Sequence, residues 1–151
     1  MDGILKKSPF FEGESVMVTP YIVSDRQCEE AMLFYEAVFS GEKKTILRYN
    51  DYVPIGVKED VSNYVLHGEM ELFGTPMTFA DEIAKPVITG NNMHLTINPN
   101  NVAEGSKMFN ELQEGGEVLL PPTEAFYSPL HAAVKDKYGI VWNIIVVQKK
   151  V

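Results

Sequence analysis

The chain has one cysteine, Cys28, in 151 residues. A lone cysteine excludes an intramolecular disulfide and any zinc cluster built on thiolates, and it fits a reducing, cytoplasmic setting. Histidine is scarce as well, with His67, His94 and His131 the only three. Apolar runs such as Ile144 to Val147 fall far short of the roughly 20 residues that cross a bilayer, so no membrane partner is expected. Basic residues never gather: 13 Lys and Arg stand against 21 Asp and Glu, giving a formal charge of −8. Such a surface repels phosphate backbones and argues against nucleic acid, while remaining compatible with cationic small molecules. The opening stretch "MDGILKKSPFFEGES" lacks both a long apolar segment and a cleavage site of small residues, so no export signal is expected. No Gly-rich loop joins a strand to a helix in the way that seats an adenosyl-bearing cofactor. The nearest glycine cluster, "QEGGE", ends a helix, and no cofactor is expected.

What remains is an ordinary apolar fraction, 45%. A domain of this length buries roughly 70% of its unfolded surface and needs no covalent staples.

The organisation shows when the chain is laid over itself. "TPYIVSDRQCEEAMLFYEAVFSGE" (19–42) matches "HLTINPNNVAEGSKMFNELQEGGE" (94–117) without a gap, at a spacing of 75 residues. Each copy reads as a strand, an Asp/Asn turn, a helix and a Gly stop. In the first helix Ala31, Phe34, Tyr35 and Val38 are spaced as one core face, Ser24 or Asp25 can cap its start, and Gly41 suits its end. In the second, Val102, Phe109 and Leu112 form the stripe with Met108 beside it. Asn100 or Asn101 caps this helix and Gly115-Gly116 ends it. "LHGEMELFGTPMTFAD" (66–81) and "LHAAVKDKYGIVWNII" (130–145) match as strand-turn-strand, with a one-residue slip in the turn. In the second of these, His131 to Lys135 runs in, Asp136 to Gly139 turns, and Ile140 to Val147 runs out. The pieces "KKTILRY" and "EVLL" read as extended. "NDYVPIGVKEDVSN" and "PPTEAFYSP" read as loops.

The expected fold is therefore α+β: two tandem βαβββ modules, 15–85 and 90–148, whose curved mixed sheets surround a cleft. Residues 1–14 form an extension whose stretch "ILKKSPFFEG" carries apolar side chains with no place in either module.

On these motifs the chain resembles the PhnB-like branch of the vicinal-oxygen-chelate superfamily of glyoxalases, bleomycin-resistance proteins and extradiol dioxygenases. "TPYIVSDRQCEEAMLFYEAVF" is similar to that branch's opening strand and helix. "AFYSPLHAAVKDKYGIVWNI" is similar to its closing stretch, an aromatic pair followed by D-x-[FY]-G-x-x-W. The resemblance covers about residues 15 to 148. It implies a homodimer. It also implies four metal-ligand positions, which fall here at Thr19, His94, Thr78 and Asn143. Three of the four are not metal ligands. Only His94 keeps a ligand-type side chain, so no preformed metal site is expected, and the Lewis-acid chemistry of the metal-dependent relatives is expected to be lost. Asn143 stands where a carboxylate is expected and should hydrogen-bond a neighbour, a water or a ligand.

The candidate lining of the cleft is Thr19, Tyr21, His67, Thr78, His94, Tyr127, His131 and Asn143. His67 and His131 take matching places in the two hairpins, facing either one cleft or opposite sheet ends. Trp142 alternates with Asn143 and is expected in the core under the helices. Asp81 and Glu82 read as a solvated turn. Cys28 lies where a helix dipole lowers a thiol pKa, but with no partner base it reads as inert. Ser128 lacks a nucleophile-elbow context. The leading expectation is a small-molecule-binding protein that uses no metal. The alternatives are an enzyme with an acid–base site or a non-family metal held by His67, His94 and His131, and a partner-binding protein with a vestigial cleft.

Overall fold

The computed structural model describes residues 16–52 and 61–148. The "ILKKSPFFEG" stretch and the middle of "NDYVPIGVKEDVSN" lie outside these residues. The chain separates into two compact units, with the boundary between Val87 and Ile88.

The first unit runs β1 (Tyr21–Ser24), α1 (Cys28–Phe39), β2 (Glu42–Arg48), the one-turn α2 (Tyr49–Tyr52), β3 (Val65–Leu72) and β4 (Thr75–Asp81). The second runs β5 (His94–Ile97), α3 (Val102–Leu112), β6 (Glu117–Ala125), β7 (Ser128–Lys135) and β8 (Val141–Ile145). The sheet orders are β1-β4-β3-β2 and β5-β8-β7-β6. In each sheet the first strand pairs parallel with the last, and the other pairs are antiparallel. This is the α+β, twice-repeated βαβββ architecture that the self-match predicts. The registers also repeat. Thr78 lies opposite Tyr21 and Glu69, and Asn143 lies opposite Thr96 and Ala133. The slip between the hairpins sits in their turns. Phe73 and Gly74 turn with φ of 49° and 81° in one, whereas the other spans Asp136 to Ile140.

Side-chain alternation gives each sheet a helix-packed face and an opposite face. On α1 the buried stripe is Cys28, Ala31, Met32, Tyr35 and Phe39. Phe34 and Val38, expected in the core, are only half-buried. The reason is Gly68 on β3. A Cβ there would strike the Met32 sulfur, so Met32 fills that gap and the helix turns toward it. On α3 the stripe is Gly105, Met108 and Leu112, while Val102 is exposed and Phe109 half-buried. Gly105 sets this face, because its bare backbone lies against Leu130 and Val146.

The helix ends depart from expectation in one unit and follow it in the other. Asn101 caps α3, accepting from the Glu104 amide at 2.8 Å. Neither Ser24 nor Asp25 caps α1. A left-handed Arg26 (φ 62°) delays the helix until Cys28, and the Gln27 side chain makes no cap bond. At the far end Ser40, not Gly41, takes the left-handed conformation (φ 54°). Gly41 is required there for close approach, since a Cβ would collide with Met70. The stretch "PPTEA", read as loop, continues β6 to Ala125. β6 is an outer strand with three register irregularities, and an outer strand accommodates Pro121 and Pro122, which donate no ladder hydrogen bond.

Candidate functional site

In the second unit, Trp142 and Ile144 on β8 and Leu130 and Ala132 on β7 are buried. Their alternates Asn143 and His131 point to the opposite face, which His94 on β5 shares. There the side chains form one continuous chain. His94 Nε2 lies 2.8 Å from the Asn91 carbonyl oxygen, which can only accept, so Nε2 carries the hydrogen. In a neutral ring Nδ1 is then an acceptor, and it takes the Asn143 Nδ2 hydrogen at 2.9 Å. Asn143 Oδ1 accepts from His131 Nε2 at 3.0 Å. His131 Nδ1 in turn accepts from the Tyr127 hydroxyl at 2.6 Å. Every donor meets an acceptor with both imidazoles neutral, so the chain runs in one direction from Tyr127 to Asn91. Its outer end is half-exposed: Tyr127 sits in the turn between β6 and β7, edge-on to Phe126 at 5.1 Å.

The corresponding face of the first unit is built differently. His67 Nε2 bonds Glu69 Oε1 at 2.9 Å, two residues along β3. Glu69 is buried to 2% exposure. The Tyr21 ring stands 6.4 Å from the His67 ring. Thr78 is buried, and its hydroxyl donates back to the Pro20 carbonyl at 2.7 Å. Thr19 is half-buried and precedes β1. Thus Tyr21, His67 and Thr78 share one sheet face, and Tyr127, His131, Asn143 and His94 share another.

One further reading changes, that of Asp81, while Cys28 and Ser128 stay non-catalytic for physical reasons that the structure supplies. Asp81 is not a solvated residue. It is buried, and its two oxygens accept from the Cys28 and Val65 amides, each at 2.9 Å. It therefore caps α1 from the end of β4. Burial pushes its carboxyl above the ordinary range, against the lowering effect of those two amide bonds. Cys28 is fully buried, and burial first, then the Asp81 and Glu29 charges, drive its thiol far above the usual value. Desolvation outweighs the helix dipole, so the thiol stays protonated and unreactive. Ser128 is also structural: its Oγ lies 2.8 Å from the Leu130 carbonyl and 2.6 Å from that of Val146, tying β7 to the chain after β8.

Two acidic residues escaped the sequence reading. Glu69 carried a signal, an acid two residues from a histidine within an apolar strand. Asp136 was hidden in the D-x-[FY]-G-x-x-W motif. Its Oδ1 accepts from the Tyr138 and Ile140 amides, and its Oδ2 accepts from Trp142 Nε1 at 2.8 Å. That motif is a hairpin clasp. The first unit also holds an open cavity of about 720 Å³ at the start of α1, lined by Arg26, Glu29, Arg48, Tyr64 and Asp81 among others. Arg48 is paired there with Glu29.

The four positions of the implied metal site do not fit a divalent ion. Thr78 is buried and bonded to backbone, Asn143 is held between two histidines, and both His94 nitrogens are engaged. Among the described residues, no three His, Cys, Asp or Glu side chains gather in a metal-binding group.

Comparison with known proteins places the fold. The chain is 20% identical over 143 residues to Protein YjdN of Escherichia coli K12, covering 88% of this chain and 97% of that one. The crystal structure of protein PA1353 from Pseudomonas aeruginosa superposes with a TM-score of 0.78 at 23% identity, covering 89% of this chain and all of that one. A PhnB protein from Bacillus cereus gives a TM-score of 0.73 at 23% identity over 87% of this chain and all of that one. At these identities the structures show the shared fold alone. The 3-demethylubiquinone-9 3-methyltransferase family model matches residues 16–145. The match spans most of the chain, and the chain belongs to that family.

Proposed function

We propose that this protein binds a small molecule without a divalent ion at the superfamily's ligand positions. The observation that supports this most directly is Asn143. An amide replaces the expected carboxylate, and both of its ends are taken up by His131 and His94. A cation at this point would have to break a closed hydrogen-bond chain and would gain no anionic ligand. The same chain fixes the orientation of Tyr127. Its hydroxyl gives its hydrogen to His131, so its oxygen is left to accept from a ligand N–H or O–H. The exposed Phe126 ring beside it offers apolar surface. With a net charge of −8, an amine-bearing ligand suits this site better than an anion.

Elemental analysis of untagged protein, with thermal-shift titrations of zinc, nickel, manganese and iron(II), tests the reading. The expected result is below about a tenth of an equivalent of metal and no stabilisation by added ions. Near-stoichiometric metal with a raised midpoint overturns it. A screen of small amines then reads binding through the Asn143 side-chain amide resonances. In this reading the chain also pairs as a homodimer, and sedimentation over a concentration series checks for a mass of two chains.

A further inference from the structure

We propose that His67 and Glu69 form a proton-accepting site on the helix-free face of the first unit, one that takes up planar phenols as phenolates. Glu69 is the anchor. Its side chain is only 3% exposed, whereas that of His67 is 17% exposed. A buried carboxylate accepts and does not donate, so His67 presents Nε2–H to it at 2.9 Å. This fixes the tautomer and turns the Nδ1 lone pair into the free basic position. Among the described residues no hydrogen-bond partner meets Nδ1, unlike either nitrogen of His94 or His131. Thr78, which shares the face, does not compete, because its hydroxyl is turned to the Pro20 carbonyl.

The surroundings define the ligand. Tyr21 stands 6.4 Å from the imidazole, tilted by 34°, and more than half of its surface is open. It provides a wall for a flat ring. Leu47 lies opposite His67 in the β2–β3 register and adds apolar surface. A base beside a ring wall suits a flat molecule with an ionisable hydroxyl. In the binding step the phenolic O–H bond breaks, its electron pair stays on oxygen, and the proton forms an N–H bond at Nδ1. The imidazolium is held between the Glu69 carboxylate and the new phenolate. No oxidant, metal or second reactant is needed.

The probe is 4-cyanophenol, a weaker acid, buffered about one unit below its own pKa and so above the ordinary imidazole value, where the free probe is mostly neutral. The wild-type protein is expected to bring up the ultraviolet phenolate band in a saturable manner. His67→Gln should abolish the band. Glu69→Gln, which keeps an acceptor but removes the charge, should weaken uptake about ten-fold. Tyr21→Ala should lower affinity and leave the band position unchanged. No band with wild type, a band that survives His67→Gln, or full affinity in Glu69→Gln overturns the proposal. Should His67→Gln fail to fold, nitrogen-resolved NMR of the wild type decides: His67 Nδ1 must gain its proton as the probe binds, and an unchanged Nδ1 signal overturns the proposal. Metal content and phenolate uptake are read by separate measurements, so either idea can fail alone.

Discussion

His67 and His131 occupy the same place in two copies of one fold, yet they bond to different partners. Two residues beyond His67 on β3 stands Glu69, and two beyond His131 on β7 stands Ala133. These two positions lie opposite Thr78 and Asn143 respectively. In the first unit the carboxylate is near enough to take the imidazole, and Thr78 is too short to reach it and turns to backbone. In the second, a methyl group leaves the space open, and His131 reaches diagonally to Asn143. A duplicated scaffold can thus keep its histidine while one neighbour decides whether it bonds a carboxylate or becomes a link in a neutral chain.

The comparison should be sharpest at the two hairpin turns. Asp136 serves three donors, two of them backbone amides, and is almost fully buried. Removing it leaves the Trp142 indole and those amides without their acceptor. Asp136→Ala is expected to cost about 3 kcal/mol, read by urea denaturation. The first unit's turn has left-handed backbone at Phe73 and Gly74, with the Phe73 ring edge-on to Phe39 at 6.2 Å. Gly74 sits at φ 81° with open space where a Cβ would go, so Gly74→Ala should cost about 1 kcal/mol. Equal costs would mean that the second clasp is not the stronger device.

Next come the helix caps. Asp81→Ala removes the acceptor of two amides, one on α1 and one on β3, and is expected to cost about 2 kcal/mol. Asn101→Ala removes one local cap bond and should cost about 1 kcal/mol. Asp81 also predicts a pH dependence. Its folded pKa is raised, chiefly by burial, so the folded state holds the proton more tightly than the unfolded chain. Its contribution is fully present below the unfolded carboxylate value and is lost as pH rises through the higher folded value. Asp81→Asn should flatten that part of the stability profile. An unchanged slope would assign the dependence to another group.

Much of this fold is legible in the sequence. The repeat and its helix stripes lie in periodic apolar spacing, which survives without knowing the partner surface. The exact stripe does not, because Gly68 and Gly105 choose which helix residues face the sheet, and a glycine's effect depends on what stands opposite. The Asn101 cap is legible for being local, four residues of chain. The Asp81 cap is not, because its acceptor arrives from a strand more than fifty residues away. The faces of His94, His131 and Asn143 follow from strand alternation. Their order in one directed chain needed distances. Glu69 and Asp136 are buried carboxylates, and sequence statistics place such residues at the surface.

Asn143→Leu tests the neutral chain itself. It frees His94 Nδ1 and His131 Nε2 together and is expected to cost about 1.5 kcal/mol. Nitrogen-resolved NMR should show both rings passing from a single tautomer to a mixture, while His67 keeps its Nε2–H form against Glu69. A shift at His67 of similar size would mean that the two faces are not independent. Thr78→Val, at the matching position, should leave all three histidine patterns unchanged.

The smallest effect separates two buried serines. Ser128 Oγ is within hydrogen-bond distance of two carbonyls and accepts from the Leu130 amide, so Ser128→Ala should cost about 1 kcal/mol. Ser24 Oγ, at the end of β1, is buried with no partner among the described residues. Its hydroxyl has left water and regained nothing, so removing it should recover that desolvation cost. Ser24→Ala is expected to leave stability unchanged or raise it by up to about 1 kcal/mol. Thermal and urea unfolding of the pair decide it. The sign is the informative quantity: a loss at Ser24 as large as that at Ser128 would reveal a bond that Ser24 makes in solution, and with it a second tie in the first unit to match the one in the second.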